Sequence, residues 1–64
     1  MKIEYDRDTD SLYIELRSAR AISAKEVEPG VIFDFDANGK VIGIDFENAS
    51  EFTDVENLPA LPPE

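Results

Sequence analysis

Hydrophobic and polar residues alternate along four short runs of this chain. In KIEYD, Ile3 and Tyr5 fall on one side and Lys2, Glu4 and Asp6 on the other, the period of a half-buried strand. RDTDS follows and is rich in turn formers. LYIELR then repeats the alternation, with Leu12, Ile14 and Leu16 against Tyr13, Glu15 and Arg17. The two runs predict a hairpin. VIFDFD sets Val31, Phe33 and Phe35 against Ile32, Asp34 and Asp36, and VIGIDFE sets Ile42, Ile44 and Phe46 against Val41, Gly43, Asp45 and Glu47. Between them lies DANGK. Asp suits the first corner of a type I turn, and Gly39 supplies the positive φ of a following bulge. This second hairpin is the best-marked feature of the chain.

The intervening SARAISAKEVEPG is less regular. Residues 18–26 are Ala-rich enough for a turn or two of helix, but no helical stripe runs through them. The reading is a loop, then a short strand near residues 22–28, then a bend at Pro29-Gly30. After Phe46 the period changes. Asn48 can cap a helix, with Glu51 three residues on completing a capping-box-like pair. Phe52, Val55 and Leu58 then share a helical face, and Pro59 ends it. ALPPE reads as an extended tail.

The pattern therefore predicts an α+β fold: a small, mainly antiparallel sheet of four to five strands in a β-hairpin meander, with one short C-terminal helix. Residues 1–58 form a single domain and residues 59–64 a Pro-rich tail. The helix is expected to cover the face carrying Ile3, Tyr5, Leu12, Ile14, Leu16, Phe33, Phe35, Ile42, Ile44 and Phe46.

Length sharpens this picture. At 64 residues, a domain buries only about 60% of the surface its unfolded chain exposes. There is no Cys or His for a disulfide or a structural zinc site. Association with a second copy or a partner protein is the expected remedy. Charge narrows the choice of partner. The net charge is −9, of which residues 33–64 carry −7. Such a field repels phosphate, which excludes nucleic acid and disfavours an anionic membrane surface. It attracts a basic protein or a cation. The start MKIEYDRDTD has no apolar core or cleavage pattern, so it is not a signal peptide, and no apolar run approaches membrane-spanning length. A cytoplasmic location is expected.

Candidate chemistry begins with DFDANGKVIGID. Asp34, Asp36, Asn38 and Gly39 fit positions 1, 3, 5 and 6 of a calcium loop, and Asp45 takes position 12. A true calcium loop joins two helices, whereas both flanks here alternate as strands. The plainer reading is a solvated acidic face beside a well-made turn. DRDTDS supports that reading, because it repeats the alternate acids and yet puts Arg17 at position 12. Nucleophilic catalysis lacks His and Cys; Ser11, Ser18, Ser23 and Ser50 have no base nearby in sequence, and a pair with Lys25 has nothing further to support it. Paired carboxylates among Asp34, Asp36, Asp45 and Glu47 would need a cleft that so short a chain has little material to build. With three glycines, Gly30, Gly39 and Gly43, there is no Gly-rich phosphate loop. The chain reads as non-enzymatic, with no cofactor or resident metal. Calcium at the Asp34–Asp45 hairpin stands as the alternative.

One surface remains. By strand parity Tyr13, Ile32, Asp34, Asp36, Val41 and Asp45 share the outer side of the sheet. Scattered apolar surface is the bland explanation. The functional one is an interface with a second copy or a basic protein, in which charge steers the encounter and Tyr13 anchors it.

The order of motifs adds a resemblance. MKIEYDRDTDSLYIEL followed by EVEPGVIFDFDANGKVIGIDFENAS resembles the short bacterial proteins grouped as domain of unknown function 2283. The matching positions are Tyr5, Asp6, Asp10, Leu12, Tyr13 and Ile14, then Gly30, Val31, Asp34, Asp36, Gly39, Val41, Gly43, Ile44 and Asp45. The match runs to about Ser50, so EFTDVENLPALPPE falls outside it. The resemblance implies a compact sheet domain with no assigned activity. It also suggests an antitoxin-like role beside a basic, toxin-like partner.

Overall fold

The computed structural model of the protein describes residues 1–59. It contains five strands: β1 (Lys2–Asp6), β2 (Ser11–Glu15), β3 (Ser23–Glu28), β4 (Val31–Phe35) and β5 (Val41–Glu47). They form one antiparallel sheet in the order β1-β2-β5-β4-β3. Both expected hairpins are present, and β3 fills the less regular stretch. The strands do not run as a simple meander, however. After β2 the chain crosses to the far edge, comes back through β4, and inserts β5 between β2 and β4. The longest strand thereby becomes central, with neighbours on both sides.

The DANGK turn forms as its chemistry dictates. Gly39 N–H donates to the Asp36 carbonyl at 3.0 Å, Asp36 N–H donates to the Lys40 carbonyl at 2.9 Å, and Gly39 takes φ +79°. That conformation lies in the left-handed region, which glycine adopts at the least cost.

The expected C-terminal helix does not form. In its place is a single 3-10 turn, Ala49–Glu51, and the fold is mainly β rather than α+β. Asn48 sits in the left-handed conformation, with φ 55°, and its side chain makes no capping hydrogen bond. Two physical reasons account for this. The following residues include Thr53, Asp54, Val55 and Asn57, all weak helix formers, and nucleating a short helix is costly. Asn48 is also left-handed where an N-cap is normally extended, so its side chain caps none of the first-turn amides, and Ala49 N–H donates instead to the carbonyl of Asp10 at 2.8 Å.

The segment nevertheless packs as a cover. Tyr5, Leu12 and Ala49 are buried together, with Ile3, Ile14, Phe46, Val55 and Leu58 against them. Burying a side chain such as Leu12 is worth about 1.5–3 kcal/mol. Phe52 lies over Phe46 with ring centroids 5.5 Å apart but stays 41% exposed. Tyr5 N–H donates to the Pro59 carbonyl at 3.3 Å, which brings the cover to the free edge of β1. Of the expected tail, residues 60–64 lie outside the described residues. Among the described residues, no helix is long and apolar enough to cross a membrane.

The cover spans only part of the inner face. Pairing aligns Tyr5, Leu12, Phe46 and Val31 in one row across four strands, and Ile3, Ile14, Ile44 and Phe33 in the next. Tyr5, Leu12 and Val31 of the first row are buried; the second row is half-buried throughout.

Candidate functional site

The outer face has a composition of its own. Register places Glu4, Tyr13, Asp45, Ile32 and Glu26 side by side in a row across all five strands. The neighbouring row runs Lys2, Glu15, Gly43, Asp34 and Ala24. Side chains of partnered residues share a face, so acids, one aromatic ring and one Ile meet there. The Lys2 ammonium is already paired with Glu4 at 2.8 Å.

Tyr13 organises the centre of this surface. Its ring leans from its own row across Gly43, and its hydroxyl donates to Asp34 Oδ2 at 3.1 Å. The lean requires glycine. A Cβ on Gly43 would lie 2.0 Å from the Tyr13 hydroxyl oxygen and 2.6 Å from Cζ. The missing side chain is thus the seat of the ring. Partial burial and the hydrogen bond to Asp34 both push the Tyr13 hydroxyl above its usual pKa, so it stays protonated and donating. Asp45, opposite Tyr13, is half-buried, and its carboxyl is also pushed up, first by partial burial and then by the Asp34 charge. An acid raised in this way is one whose negative charge is poorly compensated.

The six expected residues do not all meet. Tyr13, Ile32, Asp34 and Asp45 converge on the outer face. Asp36 lies beyond the end of β4 and belongs to the turn: its Oδ1 accepts the N–H groups of Asn38 at 2.8 Å and Lys40 at 3.0 Å. Those amides hold its carboxyl below the usual range, that of Lys40 most strongly. Val41 is moved by a bulge. The register shifts between Asp34 and Phe35, which sets Val41 opposite Phe35 instead of in the rows of Asp45 and Gly43. The calcium-loop string therefore folds with its acids in different places, and among the described residues no three acidic side chains converge as a metal site would require.

A second polar cluster was invisible to strand parity. Asp10 closes the β1–β2 turn with φ 53°. Its Oδ1 accepts the Tyr5 hydroxyl at 2.7 Å, and its Oδ2 accepts the Ser50 hydroxyl at 2.6 Å. Ser50 N–H points at the same carboxylate, 3.1 Å from Oδ1. The Ser50 hydroxyl first, and the Tyr5 hydroxyl next, hold the Asp10 carboxyl below its usual range. A carboxylate so stabilised is a poor proton acceptor, so the Ser50–Asp10 contact suits fastening better than nucleophile activation. The available signal was the acid at the end of RDTD, within a turn that asks for a left-handed residue. Its partner forty positions on carries no pattern of its own.

Comparison with known proteins identifies kin without an assigned function. The sequence model of the family described as "Protein of unknown function (DUF2283)" matches residues 2–50. An uncharacterised protein of the archaeon Methanocaldococcus jannaschii is 33% identical over 61 residues, which is 95% of this chain and 52% of the relative. The chain thus spans about half the length of that relative, which is archaeal and not one of the bacterial proteins expected from the sequence. No solved structure matches.

Proposed function

The chain belongs to the DUF2283 family of proteins of unknown function, and from that premise we propose that it is a non-enzymatic, acidic protein-binding module whose outer sheet face receives a basic protein. The observation that carries this reading is the Tyr13–Gly43–Asp34 arrangement beside Asp45. It holds the Tyr13 ring over Gly43, hydrogen-bonded to one carboxylate and paired across the strands with the residue that carries another. A guanidinium on the partner would stack on the Tyr13 ring and pair with the flanking carboxylates. Its aliphatic stem would lie on Ile32. The charge of −9 would speed the encounter and make it sensitive to salt.

An antitoxin-like role toward a basic, toxin-like protein is the special case of this reading, set in the cytoplasm. Calcium at the same hairpin is the weaker alternative, since Asp36 is engaged by backbone amides.

The test is a paired capture from native-host extract, with the wild-type chain and a folded Asp34→Asn/Asp45→Asn variant as baits. Recovered proteins are then purified and titrated by calorimetry. The reading expects a basic protein that binds the wild type and loses affinity for the variant. Equal binding to both baits would refute it.

A further inference from the structure

We propose that the uncovered part of the inner sheet face is the contact between two copies of this chain, stacked as two sheets face to face. The proposal concerns the opposite side of the sheet from the partner face and does not rest on it.

Two observations support a second copy as the occupant. The first is incomplete layering. Residues 49–58 pack in one cluster with Tyr5, Leu12, Phe46, Ile3 and Ile14, but the row Ile3, Ile14, Ile44 and Phe33 keeps part of its surface exposed. Ile14 and Ile44 belong to β2 and β5, which have strands on both sides, so only a layer stacked above can bury them. Beyond that row Ile42 is 2% exposed, but Leu16 is 39% exposed, and Phe33 and Phe35, with ring centroids 6.5 Å apart, stay half-buried. Domains close their cores with at least two layers.

The second observation is charge. A chain of net charge −9 repels its own copies. The strand positions on the inner face of β1, β2, β4 and β5 carry no acid, while the outer positions of the same strands hold Glu4, Asp6, Glu15, Asp34, Asp45 and Glu47. On β3, Lys25 and Glu28 pair with Phe33 and Val31 and so share the inner side, which thus carries one charge of each sign; face-to-face stacking brings together the sides without net charge and points the acidic sides apart. A foreign basic partner would find its complement on the outer face instead.

The extents of 34 × 26 × 17 Å give the whole broad side a footprint of roughly 900 Å², so its uncovered part falls short of the about 800 Å² per partner of a standard complex, and the contact expected is a weak one. Stacked sheets lie about 10 Å apart, close enough for the half-buried row to interdigitate across a two-fold axis. The resulting dimer would carry two acidic faces directed outward.

The experiment is sedimentation equilibrium of the chain from micromolar to millimolar concentration, with Leu16→Lys/Phe33→Lys as the inner variant and Tyr13→Ala/Asp45→Asn as the outer one. We expect a dimer that weakens at least about tenfold in the inner variant and is unchanged in the outer one. A monomer at millimolar concentration overturns the proposal, as does a dimer lost only in the outer variant. If the inner variant fails to fold, an isotope-filtered NOE spectrum of mixed labelled wild type decides. Intermolecular contacts from Phe33, Ile14 or Ile44 support the proposal, and contacts confined to Tyr13 or Ile32 overturn it.

Discussion

Ser50 Oγ donates a 2.6 Å hydrogen bond to Asp10 Oδ2 across forty residues of chain. The same carboxylate takes the hydroxyl of buried Tyr5 at 2.7 Å, and the Asp10 carbonyl takes the N–H of Ala49. One residue thus fastens the β1–β2 turn, the inner face and the C-terminal cover. Ser50→Ala and Tyr5→Phe should each lower the thermal midpoint, and Asp10→Ala should lower it more than either. The Asp10→Ala/Ser50→Ala pair should be clearly less than additive, since both changes remove the same contacts. Hydrogen exchange at Phe52 and Thr53, whose N–H groups donate to the Ala49 carbonyl, should speed up in all three single variants. Additive midpoints would show that the contacts do not act together.

Acidity should reveal two opposing contributions. The Asp10 carboxyl is held below its ordinary value of 3.8, so its contribution is complete above that value and disappears as pH falls through its lower folded value. The Asp45 carboxyl is raised above 3.8. Its ionised form opposes folding at neutral pH, and that cost is relieved as pH falls through its folded value toward 3.8. Stability should therefore rise on mild acidification and then fall. Asp45→Asn should raise the midpoint at pH 7 by a few degrees and abolish the rise while keeping the later fall. A lower midpoint for Asp45→Asn at pH 7 would contradict the assignment. If the variant is more stable and yet binds the basic partner less well, the acid is retained at the expense of stability for the sake of binding.

The seat of Tyr13 can be tested by filling it. Gly43→Ala should displace the ring, break the bond to Asp34, and cost about 1–3 kcal/mol in denaturant unfolding. The Tyr13 ring resonances should move toward free-tyrosine values. Adding Tyr13→Ala to the Gly43→Ala background should recover part of the loss, because the clash is then gone. No recovery would mean that Gly43 is needed for the strand backbone alone.

Leu12→Ala should be among the most damaging single truncations. Leu12 is 4% exposed in the cluster with Tyr5 and Ala49, and removing a buried Leu costs about 2–5 kcal/mol. A single small core supplies little more than that in total. The variant should be largely unfolded by circular dichroism at room temperature, and a cooperative transition near the wild-type midpoint would argue against this core.

How much of this was legible in the sequence follows from the range of each interaction. Alternation is local, so β1, β2, β4 and β5 and the DANGK turn could be read from the residues themselves. Strand order was not, because the pairing of β2 with β5 joins residues about thirty apart, from Leu12 to Phe46. Parity also placed Tyr13, Ile32, Asp34 and Asp45 on one face. It failed for Val41, where a bulge changes the register, and for Asp36, whose carboxylate binds amides of the turn. The helix over Phe52–Leu58 failed for a further reason. Its three-residue spacing of apolar positions is real, but Val55 and Leu58 reach the core from irregular backbone fastened to Asp10. Neither the Asp10–Ser50 bond nor the lean of Tyr13 over Gly43 leaves a periodic trace.

The most direct test of the outer face as a partner site is a nitrogen-edited NMR titration of the chain with a short arginine-rich peptide, repeated at high salt. The account predicts saturable shifts centred on Tyr13, Ile32, Asp34, Gly43 and Asp45, weakened by salt and lost in Asp34→Asn/Asp45→Asn. Shifts spread evenly over the other acidic stretches, such as Asp6–Asp10 and Glu51–Glu56, with none concentrated at Tyr13 and Gly43, would contradict it.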